Sequence, residues 1–371
     1  MKITKLETVF VKPRWLFLKV HTDEGIVGLG EPVVEGRAQT VAAAVQEIGR
    51  YLIGQDPRRI EHHWQAIYRG QFYRGGPVLT SALSGIEQAL WDITGKWLGV
   101  PVYQLLGGAV RDRIRMYGWL GGETYGDYIE SAKVSAGQGF TALKMGIIGA
   151  MNIVDTPAVV EENVTRFAMM REAVGKEVDI GIDFHGRVSP AMAVRLARAL
   201  EPYEPMFIEE PVLPDNVDVM VTVARSTTIP IATGERLFTK WGFREVLEKQ
   251  AATVLQPDLS HAGGILECKK IAAMGETYFA AVAPHCPLGP IALAACLQLD
   301  ACTPNFLAQE HVTLGEGYLK EPFVIQGGYI DVPTGPGLGI ELDEKALADK
   351  FDDGSWETPR LWHADGSVAD W

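Results

Sequence analysis

Four short apolar runs decide how this chain is read: Ile180–His185 (IGIDFH), Met206–Glu209 (MFIE), Ile229–Glu235 (IPIATGE) and Thr253–Asp258 (TVLQPD). Each ends on a residue that can carry charge, and the gaps hold amphipathic helical patterns such as Ala191–Leu200 and Phe243–Gln250. Apolar strands alternating with helices are the signature of parallel βαβ units. Outward from this stretch the pattern continues, with strands expected at Ile114–Trp119, Thr141–Met145, Phe279–His285 and Phe306–Glu310, and a helix at Ile265–Met274. Eight strands with seven intervening helices predict an α/β fold, a (β/α)7β TIM-like barrel without its last helix.

The flanks read differently. Before about Gly108, alternating strands at Ile3–Val11, Leu16–Thr22 and Val27–Glu31 precede helices at Gln39–Leu52, Arg59–Tyr68 and Leu79–Leu98. The expected organisation is an α+β capping domain over residues 1–112, a barrel over 113–328, and a C-terminal segment, 329–371, that packs back on the cap and completes it. The 371 residues carry 34 Lys plus Arg against 47 Asp plus Glu, a net charge of −13, with 47% apolar residues. That composition suits a folded chain, and without a basic run it offers no footprint for nucleic acid or an anionic membrane. The most apolar window, Leu288–Leu299, is interrupted by Pro290 and too short for a membrane span. Four sparse cysteines and no signal-peptide core make a reducing cytoplasm the expected location.

Chemistry concentrates at the strand ends: Lys144, Asp183 with His185, Glu209, Glu235, Asp258, His285 and Glu310. Twenty-six residues separate Asp183 from Glu209 and again Glu209 from Glu235; steps of 23, 27 and 25 then reach Asp258, His285 and Glu310. One strand, one helix and two loops per step place all of them at the C-terminal mouth of the barrel. Asp183, Glu209 and Glu235 on consecutive strands would repel one another unless a cation lay between them. An all-oxygen set without Cys or HExxH predicts Mg²⁺ or Mn²⁺. Glu210, of opposite parity to Glu209, is expected to point away from the axis. Asp258 beside His285 reads as a carboxylate that orients an imidazole base. His185, two residues from Asp183, is placed to protonate a leaving hydroxide, whereas His21, His62, His63, His261, His311 and His363 read as structural.

As a set these residues resemble the enolase superfamily, its mandelate racemase subgroup, and most closely the D-galactonate dehydratases. The likeness runs through Pro13-Arg14-Trp15, Phe72-Tyr73-Arg74-Gly75-Gly76-Pro77, Asp183-Phe184-His185-Gly186-Arg187, Phe207-Ile208-Glu209-Glu210-Pro211, Gly234-Glu235-Arg236, Pro257-Asp258-Leu259-Ser260-His261-Ala262-Gly263-Gly264 and Ala283-Pro284-His285-Cys286-Pro287. The resemblance implies Mg²⁺-dependent dehydration of an aldonic acid. His285 would remove the C2 proton, Lys144 and a protonated Glu310 would stabilise the enediolate, and His185 would assist loss of the C3 hydroxyl. It also implies a homo-oligomer. Racemases of this subgroup commonly carry Lys-x-Lys on the second barrel strand, where this chain has Lys144-Met145-Gly146, which points to elimination over racemisation. The stretch His311–Asp331 departs from the galactonate dehydratase pattern. Arg14, Trp15, Tyr73 and Arg74 are the expected contacts to the far end of the sugar acid. A Schiff base on Lys144 is the competing chemistry, but it leaves the carboxylates unexplained.

Overall fold

The computed structural model describes residues 1–122, 124–147 and 149–371. Its N-terminal part is an antiparallel meander, Ile3–Val11, Trp15–Thr22 and Val27–Gly30, laid against helices Ala38–Leu52, Ile60–Arg69 and Pro77–Leu98. The third strand touches the long helix so closely that a side chain at Gly30 would strike the Gly85 carbonyl. Only glycine permits that approach.

The barrel forms as its periodicity predicts. Gly118–Trp119, Ala142–Gly146, Asp179–Asp183, Ile208–Glu209, Ile231–Thr233, Val254–Leu255 and Ala281–Val282 make one parallel sheet in chain order. Helices Tyr125–Gly137, Pro157–Val174, Pro190–Leu200, Val217–Ala224, Thr239–Glu248, Ile265–Glu276 and Pro290–Ala301 intervene or follow. The eighth strand is irregular. Phe306 bridges Val282 and Gln309 bridges Met116, so this run closes the barrel by isolated bonds rather than a regular ladder. The expected first strand divides: Gly118–Trp119 joins the barrel, while Arg113–Arg115 pairs antiparallel with Tyr329–Asp331.

The segment after the barrel serves three places in turn. Its first strand lies on Arg113–Arg115. The next residues return to the N-terminal part, where Gly337 bridges Pro101 and Phe351 bridges Val11. The last hairpin, Leu361–Trp362 with Val368–Ala369, leads to Trp371 at the barrel mouth.

Two buried carboxylates fix the N-terminal part on the barrel. Glu31 accepts from Gly289 N at 2.7 Å and Ala292 N at 2.9 Å, at the start of helix Pro290–Ala301. Glu87 accepts from Ile265 N at 2.7 Å and Leu266 N at 2.9 Å, at the start of helix Ile265–Glu276. Each satisfies amides a helix start leaves open, and burial pushes each carboxyl up to about 8 despite those amides. Trp64 Nε1 to Gly263 O, 2.8 Å, and Gln88 Nε2 to Leu259 O, 3.1 Å, tie down the same loops. These loops follow Asp258 and His285, so docking the cap also holds that pair in place.

Helix Pro290–Ala301 is buried on every side, with Pro290 at its first turn, which explains the apolar window read from sequence. No helix among the described residues is long and apolar enough to cross a membrane. The four cysteines are free and buried. Asp300 on this helix is wholly buried, and neither carboxyl oxygen has a hydrogen-bond partner among the described residues. Burial pushes its carboxyl well above the usual range, against the pull of Arg111. The unfolded chain therefore loses this proton near the ordinary Asp value while the folded chain keeps it, so the group costs stability progressively as pH rises. Asp300→Asn removes that cost. We expect thermal unfolding of variant and parent to converge near pH 4 and to separate in the variant's favour by more than about 1.4 kcal/mol at pH 8. A gap independent of pH would refute the assignment.

Candidate active site

Strand alternation builds the site. Tyr117, Ala142, Phe207, Val254, Ala283 and Ala308 belong to two small buried apolar clusters inside the barrel. Two residues further along the same strands come Trp119, Lys144, Glu209, Gln256, His285 and Glu310, the same face one layer nearer the mouth. Glu235 breaks this parity. It reaches the cavity because Gly234 adopts φ +152°, with the Gln256 backbone where a side chain would stand, 2.6 Å from an added Cβ. Glu210 points elsewhere, accepting from the Thr233 hydroxyl and from Arg236 Nε at 3.1 Å.

Lys144 lies at the centre. Its Nζ donates to Glu209 Oε1 and, at 3.0 Å, to Glu310 Oε1, and lies 3.8 Å from Asp183 Oδ2. The Trp119 ring is 4.6 Å from Nζ. Burial would lower this ammonium, yet the charges of Glu209 and Glu310 raise it well above its ordinary value. One cation does not balance the site. Burial pushes Asp183 up to about 7 and Glu209 up to about 8 despite Lys144, with Glu235 and Glu310 adding repulsion. The donor set, the buried Asp183 and Glu209 with the partly exposed Glu235, carries excess negative charge and fits a hard divalent cation. Among the described residues, however, no three His, Cys, Asp or Glu side chains already stand as a formed metal cage.

His285 Nδ1 lies 2.9 Å from Asp258 Oδ2, and Asp258 Oδ1 accepts from Ser260 N at 2.7 Å. The carboxylate is thereby fixed from both sides, and it fixes the imidazole. The other ring nitrogen, Nε2, is 3.2 Å from Glu235 Oε2. Burial disfavours the imidazolium, but Glu235, Glu310 and Asp258 outweigh it and raise His285 well above its ordinary range.

His185 reaches the cavity by a route alternation does not describe. The strand stops at Asp183, and His185 turns to φ +58°. Its backbone N–H donates to Asp183 Oδ1 at 2.7 Å and its carbonyl accepts from Arg236 Nη2 at 2.9 Å. The ring meets Trp371 edge-on at 4.9 Å between centroids. Burial lowers its pKa, opposed by Glu235.

Glu310 differs from the expectation of a protonated donor. Oε1 accepts from Lys144 and from Trp119 Nε1 at 2.8 Å, and Oε2 accepts from Cys286 N at 2.8 Å. Burial raises this carboxyl, but Lys144, His285 and the Cys286 amide hold it down to about 2. Surrounded by N–H donors, it is an ionised acceptor that anchors Lys144.

The cavity over these groups has a volume of about 330 Å³ and is lined by Lys144, Asp183, His185, Glu235, His285 and Glu310 among others. Arg14 also lines it, donating to Pro287 O at 3.0 Å. Trp15 is buried and packs on Tyr318, ring centroids 5.0 Å apart. Tyr73 and Arg74 border a separate depression in the N-terminal part. Their loop precedes helix Pro77–Leu98 and stands in solvent, so of that stretch only Pro77 reaches the mouth cavity.

Several site residues went unread in the sequence. Gln256 donates to Glu209 Oε2 at 2.7 Å, and its place two residues before Asp258 could have revealed it. Trp119 lies in phase on the first barrel strand. Glu35, Arg236 and Trp371 line the cavity too, as does His261, which the sequence read as structural, and Glu35 and Trp371 come from outside the barrel, where strand spacing gives no signal.

Fold and site together define a capped (β/α)7β-barrel enzyme with imidazoles and carboxylates at one mouth. Residues 4–107 match the mandelate racemase / muconate lactonizing enzyme N-terminal domain, and residues 127–346 match the enolase C-terminal domain-like family. The chain is 53% identical to a D-galactonate dehydratase of Ralstonia nicotianae and 51% identical to one of Cronobacter sakazakii, in each case over 100% of both chains. Similar crystal structures include the following two. One, a mandelate racemase/muconate lactonizing enzyme from Sulfitobacter sp., has TM-score 0.93 and 35% identity, covering 99% of this chain and 100% of that one. The other, an enolase-superfamily member from Salmonella Typhimurium, has TM-score 0.89 and 32% identity, covering 94% and 97%. The chain belongs to the enolase superfamily. Within it, this protein is an enzyme of the carbon–oxygen lyase class, a hydro-lyase.

Proposed function

We propose that the chain dehydrates an aldonic acid, D-galactonate first, to the 2-dehydro-3-deoxy acid, with another hexonate or pentonate as the alternative substrate. The observation that carries this reading is that His285, held from behind by Asp258 at 2.9 Å, and His185 line one cavity with Asp183, Glu235 and Glu310. The relatives, D-galactonate dehydratases matched over their whole length, support the substrate.

Asp183, Glu209 and Glu235 are the residues that would hold Mg²⁺, or Mn²⁺ in its place. When bound, the ion supplies Lewis-acid charge to the substrate carboxylate. In its neutral form His285 keeps the Nδ1 proton against Asp258, which leaves Nε2 free to take the C2 proton. Lys144, held by Glu310 and Glu209, presents positive charge where the enediolate develops. His185 gives a proton to the departing C3 hydroxide, and the enol then tautomerises to the ketone. In this reading residues 1–112 act as the cap, 113–328 as the catalytic barrel and 329–371 as a closing segment. The enzyme works in the cytoplasm as a homo-oligomer, which light scattering tests.

An aldonate library incubated with Mg²⁺ and read for 2-keto-3-deoxy product is the direct test. We expect D-galactonate to turn over, EDTA to abolish activity, and Mg²⁺ or Mn²⁺ to restore it. Failure of every aldonate would defeat the proposal, and binding unaffected by EDTA with no C2 proton exchange would mark a silent sugar-acid binder.

A further inference from the structure

The polar groups around the cavity fall into two sets, and the chemistry uses only one of them. Glu35 and His261 line the cavity but stand outside the strand-end cluster. Glu35 arrives on the irregular stretch 31–37 of the N-terminal part, and His261 on the loop after Asp258. His261 is held from behind, with Nδ1 2.9 Å from Ser81 Oγ and Nε2 3.8 Å from Asp258 Oδ2. Its Nε2 lies 3.6 Å from Glu35 Oε2, close enough for charge attraction but longer than a hydrogen bond. The Glu35 carboxylate is therefore oriented without being consumed, and 21% of its side chain remains exposed. Burial raises Glu35, but the nearby charges of His261 and His285 hold it down to about 2. It is an acceptor with no proton to give. Arg14, whose guanidinium donates to Pro287 O at 3.0 Å and lies 5.3 Å over the Trp356 ring, forms no ion pair with Glu35 among the described residues.

We infer that Glu35, oriented by His261, is the specificity group for the far end of the substrate: it accepts hydrogen bonds from terminal hydroxyls of a polyhydroxy monoacid and repels a second carboxylate there. The enzyme then takes aldonates and rejects the aldarates of the same configuration. This rests on the sugar-acid dehydratase reading. A hydroxyl can donate to Glu35, whereas an ionised carboxylate meets like charge in a partly desolvated site.

The test compares D-galactonate with its diacid, galactarate, as substrates and as competitive inhibitors, in the parent and in Glu35→Gln. The parent should turn over the monoacid and bind the diacid poorly. In the variant, KM for the monoacid should rise about tenfold with kcat little changed, while the inhibition constant of the diacid falls about tenfold or more. Because Gln keeps the shape and drops the charge, a purely structural role would lower thermal stability and leave the monoacid-to-diacid ratio unchanged. That outcome would overturn the inference. Glu35→Ala, which removes the carboxylate altogether, should move the same ratio in the same direction and serves if Glu35→Gln folds poorly. A parent active on aldonates whose variants keep its selectivity defeats this inference alone. A parent inactive on every aldonate defeats the underlying reading and this inference with it.

Discussion

Replacing His285 by Asn is expected to abolish both dehydration and exchange of the C2 proton with D₂O, lowering kcat/KM by about 10³-fold, or about 4 kcal/mol of barrier. The geometry isolates the cause. Asp258 keeps its contact to Ser260 N at 2.7 Å whatever stands at 285, and the surrounding loops are pinned by Glu31, Glu87 and Trp64. What disappears is the ring nitrogen opposite Asp258. Asparagine can occupy much of the same space but has no basic atom at neutral pH. NMR of the C2 proton in D₂O, beside a product assay, reads the two steps separately. Exchange persisting at the parent rate would show that another group is the base.

His185→Asn should give the complementary result. Dehydration falls by about 10²-fold or more, the usual worth of a positioned general acid, while C2 exchange continues. Asparagine is the suitable probe because residue 185 has φ +58°, a left-handed conformation that Asn adopts more readily than most side chains. The backbone bonds to Asp183 Oδ1 and from Arg236 Nη2 therefore need not shift. If exchange and dehydration fell together, His185 would be supporting the site and not protonating the leaving group.

Much of this was legible in the chain because the barrel repeats one unit. The run from Asp183 to Glu310 repeats a charged or imidazole side chain every 23 to 27 residues, a spacing only a strand–helix repeat sustains. The expected helix spans agree with the observed ones to within a few residues at their ends. The Asp258–His285 neighbourhood followed from adjacency of consecutive strands, and the structure gives it as a 2.9 Å contact.

Other features were not legible, for identifiable reasons. Strict alternation places Gly234, not Glu235, toward the axis, and a backbone at φ +152° turns the carboxylate in. Alternation gave His185 the right destination by the wrong path, since the chain leaves the strand before reaching it. Tyr73 and Arg74 looked like site residues by type, yet their loop stands in solvent beside a separate depression. The charge state of Glu310 could not come from its identity. Lys144, Trp119 and the Cys286 amide surround it from three places in the chain and make it an acceptor.

By itself the sequence determined the barrel, the cap in front of it and the ring of acids, lysine and imidazoles at the strand ends, because those depend on local periodicities of two residues and about 25. Only the tertiary structure decided which proton each group holds and which residues from outside the barrel complete the cavity. Protonation depends on burial and on neighbours within a few ångströms. Glu35 and Trp371 arrive from stretches with no repeat, placed by how the cap and the last hairpin dock.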